Sequence, residues 1–138
     1  MYNKLTTNMM VEDVNRTVDF YSDVLGFEFV MGVPENSQEI VTVRQEGQTL
    51  GFAIVKCGAV EMMFQAKESM AEEIPDFRGI NVGASLTFYI EVEDTKGLYT
   101  KLRDKVKIIK GMQTTFYGKK EFSIRDCNGY ILTFAGNV

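Results

Sequence analysis

A chain that states the same local plan twice can fold only into architectures that accommodate two copies of one unit. Val11-Glu12-Asp13 recurs as Val92-Glu93-Asp94, each time after a strand-like run and before a helix-like one. Phe52-Ala53-Ile54 with Cys57-Gly58 is echoed by Phe122-Ser123-Ile124 with Cys127-Asn128-Gly129. Two echoes in the same order predict a duplicated βαβββ unit. Such a unit covers one face of its sheet with the helix and leaves the other bare, so two of them can close around a cleft.

The local signals support this plan. In the first half, Leu5 to Val11 reads as a strand. Asp13 is a good N-cap, followed by Val14, Val18, Tyr21 and Leu25 at helical spacing, and Gly26 supplies the stop. Phe27 to Val33 and Glu39 to Gln45 read as strands separated by a turn at Pro34-Glu35-Asn36-Ser37, and Thr49 to Gln65 as a hairpin. The polar stretch from Ala66 to Ala84 is long for a plain loop and is expected to carry a helical turn or to cover a pocket. In the second half, Leu86 to Val92 is a strand and Asp94 caps a helix with Leu98, Leu102 and Val106 inward. Val106 to Ile109, Phe116-Tyr117, Glu121 to Arg125 and Tyr130 to Phe134 are strand-like, with a turn at Asp126-Cys127-Asn128-Gly129. The fold class expected is α+β: two βαβββ modules in tandem forming an open, cleft-bearing mixed sheet. Residues 1–138 are expected to form one domain, with module one at 1–65, a connection at 66–84 and module two at 85–138.

Composition narrows the chemistry. With 138 residues, 45% of them hydrophobic and 25% charged, the chain has the ordinary globular mixture and can bury roughly two thirds of its unfolded surface without staples. It contains no histidine. That removes Ser-His-Asp and Cys-His catalytic groups, His-rich zinc sites and 2-His-1-carboxylate iron sites, and leaves acid-base work to carboxylates, Tyr or Lys. The net charge of −4 and scattered basic residues speak against nucleic acid as a partner. No apolar run reaches membrane-spanning length, and the N-terminal residues lead straight into a strand without an apolar signal region, so a cytoplasmic protein with no membrane partner is expected. Cys57 and Cys127, without CxxC spacing, read as reduced thiols in or near the core.

The run Val11-Glu12-Asp13-Val14 through Asp19-Phe20-Tyr21 to Leu25-Gly26-Phe27 resembles the opening motif of the vicinal oxygen chelate superfamily, which holds glyoxalase I, bleomycin resistance proteins and extradiol dioxygenases. Tyr117-Gly118 to Glu121-Phe122 and Asp126-Cys127-Asn128-Gly129-Tyr130 resemble its closing motif, with Cys127 where Pro usually stands. The resemblance implies that a metalloenzyme of this family would place one ligand on the first and one on the last strand of each unit, facing the concave side. Carried over by motif, these positions are Thr6, Glu61, Thr87 and Thr133. Only Glu61 has a side chain that the family uses, and counting from the glycines of the repeat would put Met62 there instead. Three hydroxyls and one carboxylate hold a catalytic divalent ion poorly, so no cofactor and no metal are expected. The resemblance also implies a homodimer.

Strand parity directs Thr6, Asn8 and Met10, Glu61, Met63 and Gln65, Thr87, Tyr89 and Glu91, and Ile131, Thr133 and Ala135 to one side. The ligand-binding cleft is accordingly expected to draw on Asn8, Phe52, Glu61, Met63, Tyr89, Glu91, Phe116, Tyr117, Glu121 and Thr133, with Phe29 and Met31 as further walls. A lining of this kind suits flat or cationic organic ligands through stacking and charge pairing. Plainer roles compete: core filling for the aromatics and for most of the eight methionines, pairing with Lys119, Lys120 or Arg125 for Glu121, and capping for Asp13 and Asp94. The leading expectation is a metal-independent binder of a small organic ligand, aromatic or cationic, resembling bleomycin resistance proteins and serving antibiotic resistance. The alternative is a glyoxalase-like lyase or isomerase, or a dioxygenase, with Glu61 or Glu121 as the catalytic carboxylate and Tyr89 or Tyr117 as acid.

Overall fold

The computed structural model describes residues 1–138 and divides the chain into two compact units, Met1–Val82 and Gly83–Val138. The first unit runs β1 (Thr7–Val11), α1 (Val14–Asp23), β2 (Glu28–Pro34), β3 (Leu50–Cys57), β4 (Val60–Ala66), α2 (Lys67–Glu73) and a 3₁₀ turn (Pro75–Phe77). Its four strands form one sheet in the order β1-β4-β3-β2, with β1 parallel to β4 and the other pairs antiparallel. The second unit repeats this as β5 (Thr87–Glu91), α3 (Thr95–Leu102), β6 (Lys107–Thr114), β7 (Lys119–Arg125) and β8 (Ile131–Asn137), in the order β5-β8-β7-β6. Each unit is a βαβββ module, as the repeat predicts.

Both helices start where the sequence places a cap. Asp13 Oδ1 accepts from the Arg16 amide at 3.0 Å and Asp94 Oδ1 from the Gly97 amide at 2.9 Å, satisfying donors that the first helical turn leaves free. Gly26, at φ +79°, turns the chain out of α1 as a non-Gly residue would do only under strain. The buried face of α1 is Val14, Thr17, Val18 and Tyr21, the 3.6-residue periodicity that one stripe against a sheet requires. Tyr21 packs on Phe64 at 4.8 Å and on Phe27 at 5.6 Å between ring centroids. Strand alternation supplies the other side: Ala53, Val55, Met62 and Phe64 are buried. In the second unit Tyr99 of α3 meets Phe122 at 5.1 Å, and Phe122 meets Phe134 at 5.2 Å.

Two expected strands are absent, and their loss makes the repeat cleaner. Residues 39–45 touch β2 only through a single bridge between Val41 and Gly32. The segment is instead tied to α1, by the Arg44–Asp19 ion pair at 2.5 Å and, a few residues on, by Asn15, which donates to the Gln48 carbonyl and accepts from the Leu50 amide, both at 2.8 Å. Phe116-Tyr117 forms the turn between β6 and β7, closed by bonds from the Thr115 amide to the Lys119 carbonyl at 2.8 Å and from the Lys119 amide to Thr115 Oγ1 at 3.0 Å. The connection carries α2 and the 3₁₀ turn. Leu5, expected in β1, lies outside it and is exposed, as is Cys57, so the latter is no core thiol.

The register of the repeat also differs from the echo in the letters. Met10 pairs with Gln65 and Gln65 with Phe52, whereas Glu91 pairs with Ala135 and Ala135 with Glu121. Starting from the Val11/Val92 match, Phe52 is therefore equivalent to Glu121, one residue from the Phe122 that the sequence suggests. The cause is turn length. Cys57 pairs with Val60, while the β7–β8 ladder ends at Arg125 and Ile131, so glycines in the two turns are not equivalent.

Candidate functional site

The chemistry of the second unit gathers on the sheet face opposite α3. Phe122, Ile124, Leu132 and Phe134 take the helix side and are buried, so alternation turns Lys119, Glu121, Ser123 and Arg125 of β7 the other way. Glu121 is 8% exposed. The Tyr89 hydroxyl, from β5, donates to its Oε2, and the Tyr117 hydroxyl donates to the same oxygen at 2.7 Å. Tyr117 reaches it because the 115–118 turn, with Gly118 at φ +81°, folds back over the start of β7. Phe116 stands fully exposed beside it, edge-on at 5.0 Å.

The electrostatics follow from these bonds. Hydrogen bonding to Glu121 pushes both phenols above the ordinary phenol range, Tyr89 far above it, with burial and the carboxylate charge acting in the same sense. The Glu121 carboxyl is held below the usual carboxylate range, first by the Tyr89 bond, against the opposing effect of burial, and further by Tyr117, Lys110 and Lys119. The site thus holds an anion between two neutral phenols. The expected pairing of Glu121 with Lys119, Lys120 or Arg125 is not met: none of the three forms an ion pair with it, and Lys119 donates to Asn137 instead.

Next to this group lies a row of hydroxyls. Thr133 Oγ1 shares hydrogen bonds with Thr87 Oγ1 at 2.7 Å and Ser123 Oγ at 2.8 Å. Beyond Ala135, the register partner of Glu121, Glu91 and Lys119 line a shallow depression of about 300 Å³.

In the first unit the corresponding face is opposite α1. Asn8 donates through Nδ2 to Gln65 Oε1 at 2.8 Å, and Gln65 Nε2 donates to Ser69 Oγ at 3.0 Å and Glu73 Oε2 at 2.9 Å. The buried Gln65 thereby fastens α2 to the sheet. Glu61 is paired with Lys4 at 3.1 Å, and Met63 and Phe52 are half-buried on the same side. Phe52 lines an open depression of about 780 Å³ together with Val33, Ser69 and the carboxylates Glu35, Glu68 and Glu72. Phe29 is not on this face: it pairs with Val55, whose side chain is buried on the helix side.

The residues at the family's metal positions do not fit a divalent ion. Thr87 and Thr133 spend their hydroxyls on each other and on Ser123. Thr6 precedes β1, and Glu61 is committed to Lys4. The ladders make Met63, not Glu61 or Met62, equivalent to Thr133, since Asn8 pairs with Met63 as Tyr89 pairs with Thr133. Neither unit gathers three His, Cys, Asp or Glu side chains in a way that could hold a metal ion. A hard cation needs carboxylates and water, not bonded alcohols and a thioether.

The expected cleft residues fall in both units: Tyr89, Glu91, Phe116, Tyr117, Glu121 and Thr133 in one, Asn8, Phe52, Glu61 and Met63 in the other. Ser123, Lys110, Ser69 and Glu73 were missed. Alternation from Glu121 would have found Ser123. Lys110 is hidden by register shifts in β6, and Ser69 and Glu73 by the need to know how α2 folds back.

A family model described as Glyoxalase/Bleomycin resistance protein/Dioxygenase superfamily matches residues 5–134. No curated protein matches the chain. Among solved structures, a protein of unknown function from Agrobacterium tumefaciens str. C58 superimposes with a TM-score of 0.74 at 18% identity, over 100% of this chain and 96% of that one. TioX from Micromonospora sp. ML1 gives 0.70 at 15%, over 99% and 100%. A bleomycin-binding protein from bleomycin-producing Streptomyces verticillus, solved with copper(II)-bleomycin, gives 0.64 at 20%, over 100% and 98%. At these identities the likeness is one of fold.

Proposed function

We infer a function from one premise: the chain belongs to the Glyoxalase/Bleomycin resistance protein/Dioxygenase superfamily. We propose that it binds a small organic ligand, aromatic or cationic, without a metal ion, on the sheet faces opposite the helices. The observation that carries this reading is the Tyr89–Glu121–Tyr117 group: an ionised carboxylate, largely shielded from water, between two half-exposed rings. A fixed anion flanked by aromatic surface recognises organic cations and flat rings. A neighbour in fold named as a bleomycin-binding protein supports small-molecule binding on this fold.

The same geometry weighs against these residues as an acid-base pair. A general base works best with a pKa near the working pH, whereas Glu121 is held below the usual range and both phenols above theirs. Glu61, paired with Lys4, is no freer to act. The proposal extends to a homodimeric cytoplasmic protein that sequesters its ligand; sedimentation at micromolar concentration is expected to give twice the monomer mass, and a monomer mass contradicts that part.

The test is a thermal-shift and tyrosine-fluorescence screen, in chelator, with bleomycin-type glycopeptides, aromatic amines and neutral aromatics. The reading expects stabilisation by at least one class and quenching of tyrosine emission. A flat response to the whole panel overturns it, and turnover of a thiohemiacetal after nickel or zinc is added favours the enzyme in its place.

A further inference from the structure

Both hydrogen bonds to Glu121 end on one oxygen. Tyr89 and Tyr117 donate to Oε2, and no side chain or amide donates to Oε1. The chain's buried side-chain polar atoms without a partner are Thr7 Oγ1, Gln48 Oε1 and Thr95 Oγ1. Glu121 Oε1 is not among them, so although the residue is only 8% exposed, this oxygen still meets solvent. No lysine or arginine forms an ion pair with it; Lys119 donates instead to Asn137 Oδ1 at 2.8 Å.

We propose, resting on the binding reading above, that the ligand carries one cationic N–H, an ammonium or a protonated ring nitrogen, which donates to Oε1 of Glu121. Three features select this class. A carboxylate oxygen that accepts nothing and remains ionised is best complemented by a charged donor. The rings of Tyr89 and Tyr117, 49% and 53% exposed, approach the carboxylate through their hydroxyls and leave aromatic surface for a cation and its organic substituent. Oε2 is already filled by two donors, so the fork of a guanidinium, which needs both oxygens, is refused.

The experiment is a calorimetric titration of the whole chain, in chelator, with 2-phenylethylamine, 2-phenylethanol and 2-phenylethylguanidine. The amine is expected to bind about tenfold or more tightly than the alcohol, since its ammonium adds the attraction of opposite charges to a hydrogen bond that both ligands can make. Glu121→Gln should weaken the amine far more than the alcohol and close most of the gap between them. Tyr117→Phe frees a lone pair on Oε2 and should improve the guanidine relative to the amine, which no loss of folding would produce. Equal binding of amine and alcohol, unchanged by Glu121→Gln, overturns the inference and leaves the binding reading standing. Tighter binding of the guanidine by the unmodified chain also overturns it. Silence from all three compounds and from the broader panel overturns both.

Discussion

At the scale of single residues, Glu121 and its two phenols set the character of the molecule. The carboxyl is lowered and the phenols raised, and the signs run in opposite pH directions. The stabilisation that Glu121 contributes is complete above its unfolded pKa and is lost as pH falls through its lowered folded value. That of Tyr89 and Tyr117 is complete below the unfolded phenol pKa and is lost as pH rises through their raised values. A spectrophotometric titration of phenolate absorbance should therefore show Tyr89 and Tyr117 ionising late, and Glu121→Gln should move both to lower pH. Unchanged titration in that variant contradicts the assignment. Little of this was legible beforehand. Parity placed Tyr89 on the right face, but the partnership with Tyr117 depends on a turn that composition presented as a strand.

At the scale of elements, the caps, the helices and the strand pairs were readable because each rests on neighbouring residues. Asp13 and Asp94 cap as their spacing predicts, and Asp13→Ala should cost about 1 kcal/mol in urea unfolding, more than a neutral exposed substitution. Phe64, wholly buried under Tyr21, is expected to cost about 3–5 kcal/mol as Phe64→Ala. Gly136 shows a constraint that no local pattern reveals. A Cβ there would lie 2.8 Å from the Val92 carbonyl oxygen and 2.2 Å from Thr95 Oγ1, so Gly136→Ala should destabilise by about 1–3 kcal/mol. Wild-type stability in that variant would show that α3 can yield. What the letters concealed were long-range choices. Ile40, Val41 and Val43 have strand-like composition, yet Arg44 and Asn15 hold their segment to α1. The repeat slipped by one residue because the β3–β4 and β7–β8 turns differ in length.

At the scale of the whole molecule, the tandem βαβββ plan was visible in two short echoes, and the absence of histidine already left the positions at which the resemblance implies metal ligands without an imidazole. The structure sharpens that exclusion: the remaining donors are alcohols bonded to one another, a carboxylate bonded to Lys4, and Met63 in register with Thr133. A net charge of −4 gave no hint that one buried carboxylate would matter more than the rest. The central claim is that an organic ligand binds here without a metal ion. The most direct measurement is calorimetric titration of the tightest compound from the screen, once in excess EDTA and once with zinc or nickel added. The account predicts the same affinity and one ligand per chain in both. Binding that vanishes in EDTA and returns with the metal would contradict it.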